Sequence, residues 1–376
     1  DSSASITGSS GGNFESLVPN PAPAVTTITD SIDATTVTLT ASPTVSESGD
    51  ITYTATITDA QGNPVKVTGT DVVVTLANGE KVTIPVGQSG ASINVPAPND
   101  VYNGAAPVKT EITGTSGGNF ENLGSNKTPV ETTVTDKADD TTVTLTASPS
   151  TVEGGPITYT ATITDAQGQL VKVTGSDVVV TLANGEKITI PVGQTGASIN
   201  VPAPNDVYND AAPVKTSITD TSGGDFENLG ANKTPVETTV SDTIDATTVT
   251  LNASPSTVEG GPITYTATIT DAQGKLVKVT GTDVVVTLAN GEKITIPVGQ
   301  TGASINVPAP NDVYNDAAPV KTSITDTSGG DFENLGADKT PVETTVSDKT
   351  DATTVTLNAS PSTVEGGPIT YTATIT

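Results

Sequence analysis

Apolar and polar residues alternate along most of the chain, in short runs broken by turn residues. Within residues 139–244, the run 141–147 puts Val143, Leu145 and Ala147 on one face and threonines on the other. The run 157–164 does the same with Ile157, Tyr159, Ala161 and Ile163. Residues 177–183 are Val-rich, and Asn184-Gly185 then predicts a type I′ hairpin turn. Residues 186–192 return, residues 194–196 turn the chain, and residues 197–201 run back. A loop at 202–213 precedes strands at 214–221 and 235–241, which a long loop at 222–234 joins. No segment carries a helical period. Seven short alternating strands in about 100 residues predict an all-β domain, an immunoglobulin-like seven-stranded β-sandwich.

This pattern recurs. Phe stands at 14, 120, 226 and 332, and Tyr at 53, 159, 265 and 371 and again at 102, 208 and 314. Every step is 106 residues, the size of one small domain and too long for a solenoid coil. The expected organisation is a tandem array: repeats at 33–138, 139–244 and 245–350, the last two strands of a preceding repeat at 1–32, and the first two of a following one at 351–376. The end pieces hold too few strands to close a sandwich, so disorder is expected there unless they pair. Because the chain breaks off inside a strand pattern, it reads as a segment of something longer. Three domains of about 40 Å each would span on the order of 120 Å.

Strand count fixes which loops share an end. The loops after the first and fifth strands lie with the chain exit at one end. Those after the second, fourth and sixth lie at the other, facing the preceding domain. Linkers are short and carry Asp-x-x-Asp four times: Asp30/Asp33, Asp136/Asp139, Asp242/Asp245 and Asp348/Asp351. The loop after the first strand adds Glu47, Glu153 or Glu259, and the loop after the fifth adds Asp100, Asp206 or Asp312. From the following domain, the loop after the second strand offers Asp59, Asp165 or Asp271, and the loop after the sixth offers Asp331. At the second full junction, up to six carboxylates are expected to converge: Glu153, Asp206, Asp242, Asp245, Asp271 and Asp331. Asp210 competes with Asp206, Asp140 competes with Asp139, and Asn119 replaces the aspartate of 225 and 331 in the first copy. Such oxygens suit a hard cation such as calcium, which takes six to eight oxygen ligands. The bland reading is solvated turn residues.

Charge and composition narrow the chemistry. The chain carries 42 acidic residues against 15 basic ones, all lysine, for a net charge of −27. Nucleic acid and anionic membrane surfaces would repel it. Cys and His are absent, which removes catalytic triads, thiol nucleophiles, disulfides and His/Cys zinc sites. No apolar run approaches a membrane span. A glycosidase built on paired carboxylates fits poorly with near-identical copies lacking pocket-forming insertions. Aromatics are 3% with no Trp, so a sugar-gripping platform has little material. A loop-mediated carbohydrate- or protein-binding module stands as the alternative to a spacer.

Several smaller motifs have simple readings. Asp206-Val-Tyr208 resembles a tyrosine corner tying down its own backbone. Phe226 either plugs its loop onto the sandwich or contacts the neighbouring domain. Thr141-Thr-Val-Thr144 resembles an ice-binding array but lacks the required short period. Asn-x-Ser/Thr sequons such as Asn232-Lys-Thr234 are read as accidental, and Asp165-Ala-Gln-Gly168 lacks the spacing of an EF-hand.

Asp245-Ala-Thr-Thr-Val-Thr-Leu251, the run 263–274, Asp283-Val-Val-Val-Thr-Leu-Ala-Asn-Gly291, Asn311-Asp-Val-Tyr314 and Ser328-Gly-Gly-Asp-Phe-Glu-Asn-Leu335 resemble the extender repeats of LapA-type RTX adhesins. The resemblance covers the whole chain. It implies an extracellular array on a Gram-negative cell surface, exported by type I secretion, with calcium at the junctions. Its role there is to hold a distal adhesive region away from the cell for biofilm attachment. A monomeric rod is expected, with neighbouring repeats as its partners, no nucleic acid and no membrane insertion. The glycine-rich nonapeptide repeats and N-terminal retention module of such adhesins are missing from this segment. The absence of Cys suits export of an unfolded chain.

Overall fold

A computed structural model describes residues 1–376, and every regular element in it is a β-strand. The middle repeat represents all three. Its strands are β1 (Asp140–Ala147), β2 (Ser150–Val152), β3 (Pro156–Asp165), β4 (Val178–Leu182), β5 (Lys187–Ile190), β6 (Gly196–Pro202), β7 (Val214–Thr216), β8 (Ile218–Ser222), β9 (Asn228–Ala231) and β10 (Val236–Ser241). One layer is a four-stranded sheet ordered β6-β3-β1-β9, and the other combines β2-β10-β7 with β5-β4-β8. The architecture is an immunoglobulin-like sandwich.

The alternation builds the core. Ile157, Tyr159, Ala161 and Ile163 of β3 are buried while the threonines between them face out. Across the sandwich they meet Val178, Val180 and Leu182 of β4 and Ile188 and Ile190 of β5. β-branched residues suit such a pleated surface with one face buried. On the outer face of the four-stranded sheet, Thr142, Thr144 and Thr146 stand opposite Thr164, Thr162 and Thr160.

Ten strand segments replace the seven expected. The first strand ends at Ala147, and β2 then pairs in parallel with β10 in the opposite layer. The predicted strand 214–221 is split at Ser217: β7 pairs with β10, while β8 pairs with β4 across a register shift at Thr181/Leu182. The expected long loop contains β9, parallel to β1. The 183–185 turn is not type I′, because only Gly185 has a positive φ (89°) and Asn184 does not. Gly185 N–H donates to Leu182 O (3.0 Å) and Leu182 N–H to Glu186 O (2.9 Å), a type I turn closed by a left-handed glycine. Asn184 Oδ1 accepts from Glu186 N–H instead of supplying the second left-handed residue.

The end pieces form two-stranded ladders, Ser2–Ala4 with Ala24–Thr26 and Val355–Ala359 with Tyr371–Ile375. All four segments are exposed.

Candidate metal centre at the domain junctions

The β8–β10 segment carries the first half of each junction. Gly223 sits at φ 89°, and a Cβ there would lie 2.1 Å from Asp177 O, so only glycine allows the turn after β8. Gly224 leaves room for the Phe226 ring, which would otherwise lie 2.6 Å from its Cβ. Phe226 folds back onto the core of its own domain, and its neighbour Glu227 is directed at the preceding one.

The preceding domain supplies the second half through its loop between the strands equivalent to β6 and β7. Tyr102 stacks on Phe226 with ring centroids 5.6 Å apart, and Tyr208 meets Phe332 at the same separation. Tyr102 Oη donates to Lys172 O of the following domain (2.7 Å), and Tyr208 Oη to Lys278 O (2.8 Å). The tyrosine-corner reading is therefore corrected: this hydroxyl crosses to the next domain. Phe226 serves both readings offered for it, plugging its loop and touching its neighbour.

Carboxylates gather beside this contact. At the first full junction Glu47, Asp136 and Glu227 bring one oxygen each to within 4.8 Å of one another; at the second, Glu153, Asp242 and Glu333 do so. Each trio takes one residue from the preceding domain, one from the linker and one from the following domain. Glu47 and Glu153 are 3% and 7% exposed. Buried oxygens of Glu153 (Oε2), Glu227 (Oε1) and Glu333 (Oε1) have no hydrogen-bond partner. Burial, and then the facing Glu333 carboxylate, push the Glu153 carboxyl above its usual range. Burial raises Glu227 as well, with Glu47 adding to it against the Asp139 N–H that lowers it. The ligand atoms of each trio are all carboxylate oxygens and could hold a metal ion: Glu47 and Glu153 are buried, where unneutralised charge is costly, Glu227 and Glu333 are half-buried, and Asp136 and Asp242 are exposed.

The linker aspartates have divided duties. Asp136 accepts from Gly104 and Ala105 N–H (2.9 and 2.6 Å), which lowers its pKa. Asp242 accepts from Ala211 N–H (2.7 Å), and Asp348 from Ala317 N–H (2.8 Å). Asp139 and Asp245 lie outside the trios. Their N–H groups donate to Glu227 and Glu333 (2.7 and 2.6 Å), and their carboxylates accept from Asn99 and Asn205. Asp33 N–H meets Glu121 in the same way (2.6 Å), and Asp30 is simply exposed.

The remaining acids are spread around the joint. Asp59, Asp165 and Asp271 each cap the turn after their own strand, accepting two N–H groups through Oδ1. Asp100, Asp206 and Asp312 each accept the N–H of the tyrosine two residues on. Asp100, Asp139 and Asp165 line one cavity of about 400 Å³ at the first junction, and Asp245 and Asp271 line another of about 180 Å³ at the second. The Asp331 carboxylate joins Asp206 and Asp242 in raising Asp210, after burial, which is the larger cause. Glu259 is buried and accepts from Lys349 N–H (3.3 Å), with Asp351 held by Asn311 (3.1 Å). Six carboxylates thus do not share one point: Glu153 and Asp242 join Glu333 in a trio, and Asp206, Asp245, Asp271 and Asp331 stand around it. Sequence reasoning missed Glu227 and Glu333. The available signal was an acid next to the loop's only aromatic, at every repeat.

The LapA domain family matches at residues 33–137, 139–243 and 245–349. Among solved structures, a tetra-tandem repeat from the extending region of a large adhesion protein is 16% identical. The match covers 91% of this chain and 88% of that one, with a TM-score of 0.28. The BSP domain of a biofilm associated protein is 13% identical over 87% of this chain and 69% of that one, with a TM-score of 0.20. Domains 1–6 of surface layer protein SbsC are 18% identical over 88% and 47%, with a TM-score of 0.21. No curated protein matches the chain.

Proposed function

The chain belongs to the LapA domain family, and on that premise we propose that it is an extender segment of a bacterial surface adhesin, stiffened by calcium between its domains. One observation carries this reading: at both full junctions, three carboxylates from two domains and their linker converge, and a buried oxygen of Glu227 at the first and of Glu153 and Glu333 at the second has no hydrogen-bond partner. Glu47, Asp136 and Glu227 would hold one ion, and Glu153, Asp242 and Glu333 another. Bound calcium supplies the charge that lets these oxygens stay ionised while buried.

The chain's own residues do the rest. Glu153 comes from the loop before β3 and Glu333 from the next domain, so their joint use ties two rigid bodies together. Asp242 fixes the linker to the preceding domain through Ala211 N–H, and Asp245 N–H orients the Glu333 carboxylate. Without a cation the trio repels, and the joint bends within the limits its remaining contacts set. Sites of this kind in extracellular modules bind at about 10⁻⁴–10⁻³ M, so they fill outside a cell rather than inside it. The proposed place is therefore extracellular, on a cell surface, as a monomeric rod whose partners are its own neighbouring repeats. The proposed role is to project a distal adhesive region.

Titration calorimetry of the whole chain with calcium, after chelator treatment, tests the reading. At least two sites with affinity in that range are expected, and magnesium should compete poorly because it resists dehydration. No heat and no change in melting temperature at several millimolar calcium would sink it.

A further inference from the structure

Besides the covalent linker and the carboxylate trio, each full junction carries a third contact, in which the trio's carboxylates take no part. The loop 101–103 lies antiparallel to residues 225–227 of the following domain, with an isolated β-bridge between Tyr102 and Phe226. Asn103 N–H donates to Asp225 O (3.2 Å) and Glu227 N–H to Val101 O (3.1 Å). Asn103 Nδ2 adds a bond to Phe226 O (2.8 Å). The second junction repeats the backbone pair, Asn209 to Asp331 and Glu333 to Val207, at the same distances. Stacked rings and the tyrosine hydroxyl complete the contact. The end of the third repeat offers an internal comparison. Tyr314 has no complete domain to meet and is 70% exposed, whereas Tyr102 and Tyr208 are part-buried and packed against the following core.

We infer that this tyrosine–phenylalanine clasp is a cation-independent joint that sets the rotation between domains and delivers the following domain's glutamate into the carboxylate trio. The second half rests on the calcium reading above; the first does not. The reasoning is geometric. A single covalent linker leaves two domains free to swing and twist. A hydrogen-bonded loop pair at a second place leaves one hinge axis, and the Tyr208 hydroxyl on Lys278 O, in a different loop, restrains that axis. Glu333 is the residue after Phe332, and its own N–H is part of the bridge. Its carboxylate cannot reach Glu153 and Asp242 unless the bridge is formed. Tyr208 and Phe332 are thus positioning residues for the trio and contribute no ligand themselves.

The test uses the whole chain. It contains no Cys, so spin labels at Thr189→Cys and Thr295→Cys, both exposed, report across the second junction alone. Electron–electron distance distributions are recorded in chelator and in calcium for the parent, Tyr208→Ala, Tyr208→Phe and, as an unmated control, Tyr314→Ala. The clasp predicts a confined distribution for the parent even in chelator, marked broadening for Tyr208→Ala, slight broadening for Tyr208→Phe and none for Tyr314→Ala. Calcium affinity at that junction should fall about tenfold in Tyr208→Ala. Tyr208 lies outside the core cluster of its own domain, and unchanged melting of the repeats checks that both still fold. Broadening without any calcium binding would leave the clasp standing and remove the calcium reading. Calcium binding with identical distributions for the parent and Tyr208→Ala in chelator would overturn the clasp alone. Broadening with unchanged calcium affinity would overturn the delivery of Glu333.

Discussion

Replacing Glu153 by Gln should have opposite effects with and without a cation. Glu153 is 7% exposed and has a buried oxygen without a partner, with an oxygen of Glu333 within 4.8 Å. Two like charges at that separation repel by about 3.5 kcal/mol at an effective dielectric constant near 20. Glu333 is partly open to water, so roughly 1–2 kcal/mol remains after screening. Glu153→Gln removes that repulsion and lets an amide N–H donate across the joint. In chelator the second and third domains should therefore couple more strongly, and the melting transition should rise by several degrees. In calcium the variant should lose binding at one of the two full junctions. Scanning calorimetry in chelator and calcium titration of the same samples read both arms. A lower melting temperature in chelator, or an undiminished number of sites, would refute the reasoning.

Other expectations follow from single features. Glu153 and Glu227 have raised pKa values, so their folded forms bind protons more readily than their unfolded ones. Their destabilising charge is relieved as pH falls from neutrality, so the chelated protein should gain stability down to roughly pH 4.5, near the unfolded glutamate value. Asp136 and Asp59 are lowered, and the stability they add is lost below that, so thermal scans against pH in chelator should pass through a mildly acidic maximum. Tyr265→Phe removes a buried hydroxyl without a partner and should raise stability by about 1 kcal/mol in urea unfolding, where loss of stability would show a partner for that hydroxyl. Gly223→Ala sets a Cβ 2.1 Å from Asp177 O at a left-handed φ, and should cost more than about 2 kcal/mol in the same assay.

The parts of the fold that were legible are those written locally. Ile157 to Ile163 and Val178 to Leu182 declare strands because their faces alternate within a few residues. β9 was hidden because Asn228-Leu-Gly-Ala231 has little strand character and is held by parallel pairing to a strand nearly 90 residues away. The break at Ser217 was hidden for a related reason: a continuous polar–apolar run gives no sign of which sheet each half joins. Linker and loop acids could be placed at the junction from strand count alone. Their grouping could not, because Glu227 reaches its trio through the packing of Phe226 on Gly224 and Tyr102. Tyr208 was misread because its partner, Lys278 O, lies in another copy of the repeat, where local spacing carries no information.

Small-angle X-ray scattering of the whole chain, in chelator and in about 1 mM calcium, tests the central claim most directly. The account predicts a greater maximum dimension and a rod-like profile when calcium is present, with Asp242→Asn plus Glu333→Gln restoring a bend at one joint. Superimposable profiles in the two buffers would contradict it.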